Sequence, residues 1–192
     1  MKIGIFGGTF DPIHVGHLIE AQYIREIRNL DKIIFIPAYI SPHKTDQLTS
    51  NAADRLNMLK LAIEDVPYFE YSDIEINKSV VSYTIDTLKV LIKKYDEIEL
   101  IIGFDNIKKF DTWKTPDSIF KLCKVIVIKR EPGNEVHPRN KYMDMAVYAN
   151  TPQIDISSTE IRERVSNNLP VNFLVPEKVN KYILENNLYK EK

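Results

Sequence analysis

Two histidines one helical turn apart, His14 and His17, follow a glycine pair in the stretch Gly7-Gly8-Thr9-Phe10-Asp11-Pro12-Ile13-His14-Val15-Gly16-His17-Leu18. Side chains three positions apart on a helix project to the same side. Two imidazoles above a helix start make a donor pair suited to phosphate oxygens. Gly7 and Gly8 lack a Cβ, so a bulky ligand can approach their backbone closely. Thr9 can add a hydroxyl donor, and Gly16 leaves room beside the backbone between the imidazoles. The same residues also fit a plain glycine turn with two solvated or capping histidines. A zinc site competes as well, but no cysteine is near and His-x-x-His alone is a weak metal signal, so no protein metal ligand is assigned.

These residues need a strand before them and a helix after them. The apolar run Ile3-Gly4-Ile5-Phe6 reads as a buried strand, and residues 18–27 read as a helix. In an open α/β sheet ligands bind at such a junction, beyond the carboxyl ends of the strands. Free N–H groups and the helix dipole favour an anion there.

The rest of the chain supplies a matching frame. Strand-like stretches at 32–36, 69–76, 99–102, 124–129 and within 143–156 alternate with helix-like stretches at 51–65, 84–95, 158–165 and 176–186, with two short helices broken at Pro116 across 105–120. That alternation predicts an α/β fold with a mainly parallel sheet and helices on both faces. The expected strand order is 3-2-1-4-5, in a single domain over residues 1–192. Ser82 is expected to cap the helix after it, and Pro176 to occupy a first helical position. Residues 131–140 read as turn-rich and mobile.

Composition removes several function classes. Hydrophobic residues at 44% and charged residues at 28% are ordinary for a globular domain. A net charge of −1 gives no broad electrostatic footprint for nucleic acid. The one cysteine, Cys123, excludes an intrachain disulfide and reads as a packed or edge thiol in a strand-like segment. No apolar run reaches membrane-spanning length. Met1-Lys2-Ile3 leads at once into the first strand, so no signal peptide is expected and the cytoplasm is the default location.

Other stretches could carry chemistry. Lys44, in Ser41-Pro42-His43-Lys44, is a flexible charge that could reach a phosphate or simply be solvated. Ser82-Tyr83-Thr84 opens a helix. Gly103 follows the central strand and could let a base or ribose approach; Asp105 could accept from a ribose hydroxyl or cap the next helix. Trp113 is the only tryptophan. Ile156-Ser157-Ser158-Thr159-Glu160-Ile161-Arg162 is a strand end running into a capped helix, with Arg162 one turn on: a second anion cradle, or a plain capped amphipathic helix.

Taken together, these stretches resemble a known family. His14-Val15-Gly16-His17 looks like the "HIGH" signature of the nucleotidyltransferase superfamily, and the full stretch from Gly7 to His17 resembles its nicotinate mononucleotide adenylyltransferase branch. The resemblance covers nearly the whole chain, is densest at residues 7–18, 82–88 and 156–162, and is weakest at 130–150. It implies a Rossmann-like domain that transfers the adenylyl group of ATP to nicotinate mononucleotide, in NAD biosynthesis. It assigns His14, His17 and Thr9 to bridging and α-phosphate oxygens, Arg162 with Ser157 and Ser158 to the β- and γ-phosphates, and Lys44 to a loop that closes on substrate. Gly7, Gly8 and Phe10 belong to the same phosphate-binding stretch. Gly103 and Asp105 would flank adenosine; Thr84 and Trp113 would read the pyridine. Mg²⁺ is expected with ATP. Departures exist: Ser41 replaces the first of two prolines, Ala38 and Tyr39 stand where an asparagine is common, and Phe104 replaces a small residue. Another adenylyltransferase, such as phosphopantetheine adenylyltransferase, and a non-catalytic nucleotide sensor are the alternative readings. Acid-versus-amide preference and a homo-oligomeric state are left open by the residues.

Overall fold

A computed structural model describes residues 1–42, 49–128 and 139–190. In chain order these form β1 (Lys2–Gly8), α1 (Val15–Arg28), β2 (Lys32–Pro37), α2 (Ala52–Ile63), β3 (Phe69–Tyr71), α3 (Ile74–Lys78), α4 (Thr84–Leu91), β4 (Glu97–Gly103), α5 (Phe104–Lys108), a 3-10 turn (Phe110–Thr112), α6 (Pro116–Leu122), β5 (Lys124–Ile128), α7 (Lys141–Met145), β6 (Val147–Ala149), α8 (Ser158–Ser166) and α9 (Glu177–Glu185). The strands make one parallel sheet in the order β3-β2-β1-β4-β5-β6. The expected order 3-2-1-4-5 is present, extended by a sixth strand.

Strand periodicity divides the core. Ile3, Ile5, Ile34, Ile36, Ile98, Leu100, Ile102, Val125 and Val127 point to one face and pack on α4, α5 and α6. Phe6, Ile33, Phe35, Ile101, Ile126 and Ile128 point to the other and pack on α1, α2, α8 and α9. Alternation of period two with both faces apolar is what a sheet covered on both sides requires. Because β1 pairs with β2 on one side and β4 on the other, the chain reverses its winding between β1 and β4. A crevice opens there, at Gly8 and Gly103.

Several local expectations are corrected. The strand expected over 69–76 stops at Tyr71, and Ile74–Lys78 is a short helix. Residues 141–145, partly expected as strand, are helical ahead of the three-residue β6. Ser82 does not cap α4: Tyr83 is the N-cap, and the Ser82 hydroxyl accepts the Tyr39 N–H at 3.0 Å. Pro176 stands one place before the first helical residue of α9. Cys123 ends α6 instead of lying in a strand; its Sγ is buried 3.5 Å from the Ile119 carbonyl, and burial pushes the thiol up to about 12. The 131–138 part of the segment expected to be mobile lies outside the described residues. No helix among the described residues is long and apolar enough to cross a membrane.

Candidate active site

A cavity of about 430 Å³ opens at the crevice between β1 and β4. Most of its wall comes from four places: Gly7 and Gly8 at the end of β1 with Thr9, His14 and His17 following; Gly103 at the end of β4 with Asn106 in α5; Thr84, Thr87 and Trp113 from α4 and the end of the 3-10 turn; Ser157, Ser158 and Arg162 from the start of α8.

The histidines are held by the helix start itself. His14 is the extended N-cap of α1 and is buried. Its backbone N–H donates to His17 Nδ1 at 3.3 Å, and the two rings stack with centroids 3.6 Å apart. Because Nδ1 of His17 accepts, the neutral ring carries its proton on Nε2, where it can donate. Gly16 makes room for this arrangement, since a Cβ there would sit 3.0 Å from the His14 ring and 3.3 Å from Ile154. The two glycines before them differ in purpose. A Cβ on Gly7 would meet nothing within 4 Å, whereas one on Gly8 would lie 2.8 Å from the Phe10 ring. So Gly7 leaves cavity space, and Gly8 lets Phe10 pack beneath the loop. Phe10, with φ 49° and 2% exposure, sets its ring edge-on to His17 at 5.1 Å. Its ring therefore supports the histidine.

The start of α8 docks directly on the loop that follows β1. Ser157 caps α8 by accepting the Glu160 N–H at 3.1 Å. Ser158 Oγ donates to the Pro12 carbonyl at 2.8 Å, and Arg162 Nη1 donates to the Asp11 carbonyl at 2.8 Å. Segments about 150 residues apart thus share one loop. The other guanidinium bond goes to Thr159 Oγ1 at 3.2 Å.

At the opposite end Thr84 is the first residue of α4, where helical N–H groups have no partner within the helix. Glu75 lies beneath it and accepts the Thr87 hydroxyl at 2.7 Å. Burial pushes the Glu75 carboxyl up, partly offset by hydrogen bonds from Thr87 and Ser82. Trp113 lines the cavity with Phe110 stacked against its ring at 4.7 Å. Gly103 lines the cavity too, but Asp105 is not on its wall. Asp105 sits in the first turn of α5, its side chain 74% exposed and paired with Lys108 at 2.6 Å, and Asn106 takes the wall position.

Lys44 falls outside the described residues; Ser41, Pro42 and Thr49 on either side of that gap line the cavity. Ala38 also lines it, and the Ala38 and Tyr39 carbonyls both accept from Arg55.

Arg55 and Asp11 are the residues that sequence reading passed over. Arg55, 1% exposed, donates to the carbonyls of Thr9, Ala38, Tyr39 and Ser50. Burial pushes its pKa down while the Asp11 charge acts the other way. A signal existed: Arg55 shares the buried stripe of α2 with Met58 and Leu59, a place where charge has to be compensated.

The model of the Cytidylyltransferase-like family matches residues 5–164. A protein of Caldicellulosiruptor bescii described as a probable nicotinate-nucleotide adenylyltransferase is 42% identical over 99% of this chain and 100% of its own. The chain belongs to the nicotinate-nucleotide adenylyltransferase family. A relative of the same description from Borreliella burgdorferi is 39% identical over 100% of this chain and 98% of its own. The fold is similar to that of Plasmodium falciparum nicotinic acid mononucleotide adenylyltransferase complexed with NaAD, at a TM-score of 0.78, 21% identity and coverage of 98% and 97% of the two chains. Family membership gives the four-walled cavity a frame: each of its walls meets a motif on which the sequence resemblance rests, apart from the loop that carries Lys44.

Proposed function

We propose that the protein transfers the adenylyl group of ATP to nicotinate mononucleotide, releasing pyrophosphate and forming nicotinate adenine dinucleotide, a step of NAD biosynthesis. The observation that carries this is the docking of Arg162 and Ser158 on the Asp11–Pro12 loop, which puts both anion cradles on one cavity. The description of the full-length relatives supports the same reaction.

The mononucleotide phosphate oxygen attacks the α-phosphorus in line. The bond from that phosphorus to the β-bridging oxygen breaks, and its electron pair leaves with pyrophosphate. The nucleophile is already an anion, so no strong base is needed, and the work is positioning and charge stabilisation. His14, Thr9 and the Nε2–H of His17 hold the bridging and α-phosphate oxygens. Arg162, which carries five N–H groups, turns those not engaged with Asp11 and Thr159 to the β- and γ-phosphates beside the start of α8. The family resemblance assigns Lys44, outside the described residues, to the reacting phosphates. Gly103 lies at adenosine, with Asn106 beside it in place of Asp105, and Thr84 and Trp113 read the pyridine end. Among the described residues no group of three or more His, Cys, Asp or Glu could hold a metal ion. The Mg²⁺ expected with ATP would be held mostly by phosphate oxygens and water, and would supply charge neutralisation there.

Mixing the protein with ATP, Mg²⁺ and one acceptor at a time tests this. Pyrophosphate release with nicotinate mononucleotide is expected. Release only with phosphopantetheine, or nucleotide binding without release, overturns it.

A further inference from the structure

The loop that carries the phosphate-binding residues is held from outside the cavity by the end of the chain. Asp11 is 2% exposed, and both its carboxylate oxygens are engaged: Oδ2 accepts the Ser50 N–H at 3.0 Å and Oδ1 accepts the Tyr189 hydroxyl at 2.8 Å. The backbone carbonyl of this same residue receives Arg162. Tyr189 lies beyond α9, with φ 63°, its ring packed on the core and its oxygen 3.8 Å from Met58 Sδ. Tyr189 is absent from the cavity wall. Burial and the Asp11 charge keep its phenol protonated, so it acts as a donor. Arg55 adds the other half of the brace through the Thr9 and Ser50 carbonyls.

We propose that Tyr189 is a positioning residue for ATP: its hydroxyl, through the Asp11 carboxylate, fixes the carbonyl on which Arg162 is oriented. A charge-assisted bond to a buried carboxylate is strong and directional. Without the hydroxyl, Asp11 loses a donor, residues 9–12 gain freedom, and the guanidinium loses its fixed bearing on the triphosphate. The mononucleotide end, built on α4 and Trp113, lies further from Tyr189 along this brace, reached through the Arg55–Tyr39 and Tyr39–Ser82 hydrogen bonds. The inference rests on the assignment of Arg162 to the β- and γ-phosphates.

Y189F removes one oxygen and keeps the ring against Met58, so the chain should fold. In the wild type, turnover with nicotinate mononucleotide is measured first, and its absence would refute the activity alone. In the variant, ATP affinity by calorimetry without acceptor should fall at least threefold, and KM for ATP should rise in parallel. KM for the mononucleotide should stay within twofold of wild type. In the Arg162→Ala background the same substitution should cost ATP affinity nothing further, because the group it orients is gone. Unchanged ATP affinity in Y189F, equal losses for both substrates, or a full additional loss in the Arg162→Ala background would overturn the proposal.

Discussion

His14 and His17 stack face to face, 25° from parallel, with the backbone N–H of the first donating to Nδ1 of the second. The helix N-cap and the proposed donor are therefore one structure, and the direction of the His17 Nε2–H follows from the fold of α1's first turn.

His17→Ala removes that donor while leaving a half-buried position that a methyl can occupy. Turnover should fall by roughly 10²- to 10³-fold, the loss typical of a donor to a developing charge. The thermal midpoint should stay close to wild type. Steady-state kinetics beside a melting curve checks both; near-normal turnover would take His17 out of the mechanism.

The paired glycines should respond in opposite ways. Gly7→Ala places a methyl in open cavity space, so stability should hold while activity falls by about tenfold or more, as small misplacements of reactants cost. Gly8→Ala drives a methyl into Phe10 and should cost about 1–3 kcal/mol by overpacking. Urea titration and kcat/KM on the two variants separate these effects.

At the far end of the sheet, Glu99 has 0% side-chain exposure and is bound by Arg28 at 2.8 Å through two nitrogens. Arg28→Met should destabilise by about 1–3 kcal/mol, because it leaves the buried carboxylate to Lys2 alone, yet leave kcat of the folded protein unchanged. Burial pushes the Glu99 carboxyl up, but Arg28 and Lys2 outweigh it and hold it below the usual range. Its contribution is thus fully present above the ordinary glutamate pKa and is lost as pH falls through the depressed one. Denaturant titrations at pH 7 and in acid should show the gap between wild type and variant closing as pH drops.

Glu75 has the opposite sign. Burial raises its pKa, so the folded state favours the neutral carboxyl, and stability is lost as pH rises from the ordinary glutamate value through the raised one. Glu75→Gln keeps an acceptor for Thr87 without a charge. Its stability relative to wild type should increase over that window. Thermal melts across it that run parallel for the two proteins would contradict this.

The sheet was legible because Ile3, Ile5, Ile34, Ile36 and their neighbours are both apolar and regularly spaced, and the loop after β1 because a glycine pair and two histidines together, between a strand and a helix, are far more specific than either alone. Ile74–Lys78 was not, since a five-residue helix is too short to display a helical period and Ile74 and Ile76 mimic strand alternation. Arg55 was hidden by its type: a charged residue inside a helical stripe looks like surface until its four carbonyl partners are seen. Tyr189 was hidden by distance, since nothing local announces a bond to a carboxylate 178 positions away. Asp105 shows the converse: the motif pointed to the right turn, but the side chain that faces inward there is the next one along.

The single sulfhydryl at the end of α6, Cys123, reacts as a thiol only when its surroundings part, since almost none of it is thiolate while it is enclosed. Its alkylation rate therefore gauges how often the junction of α6 and β5 comes undone. Each substitution described above can be compared on that one clock without adding a label.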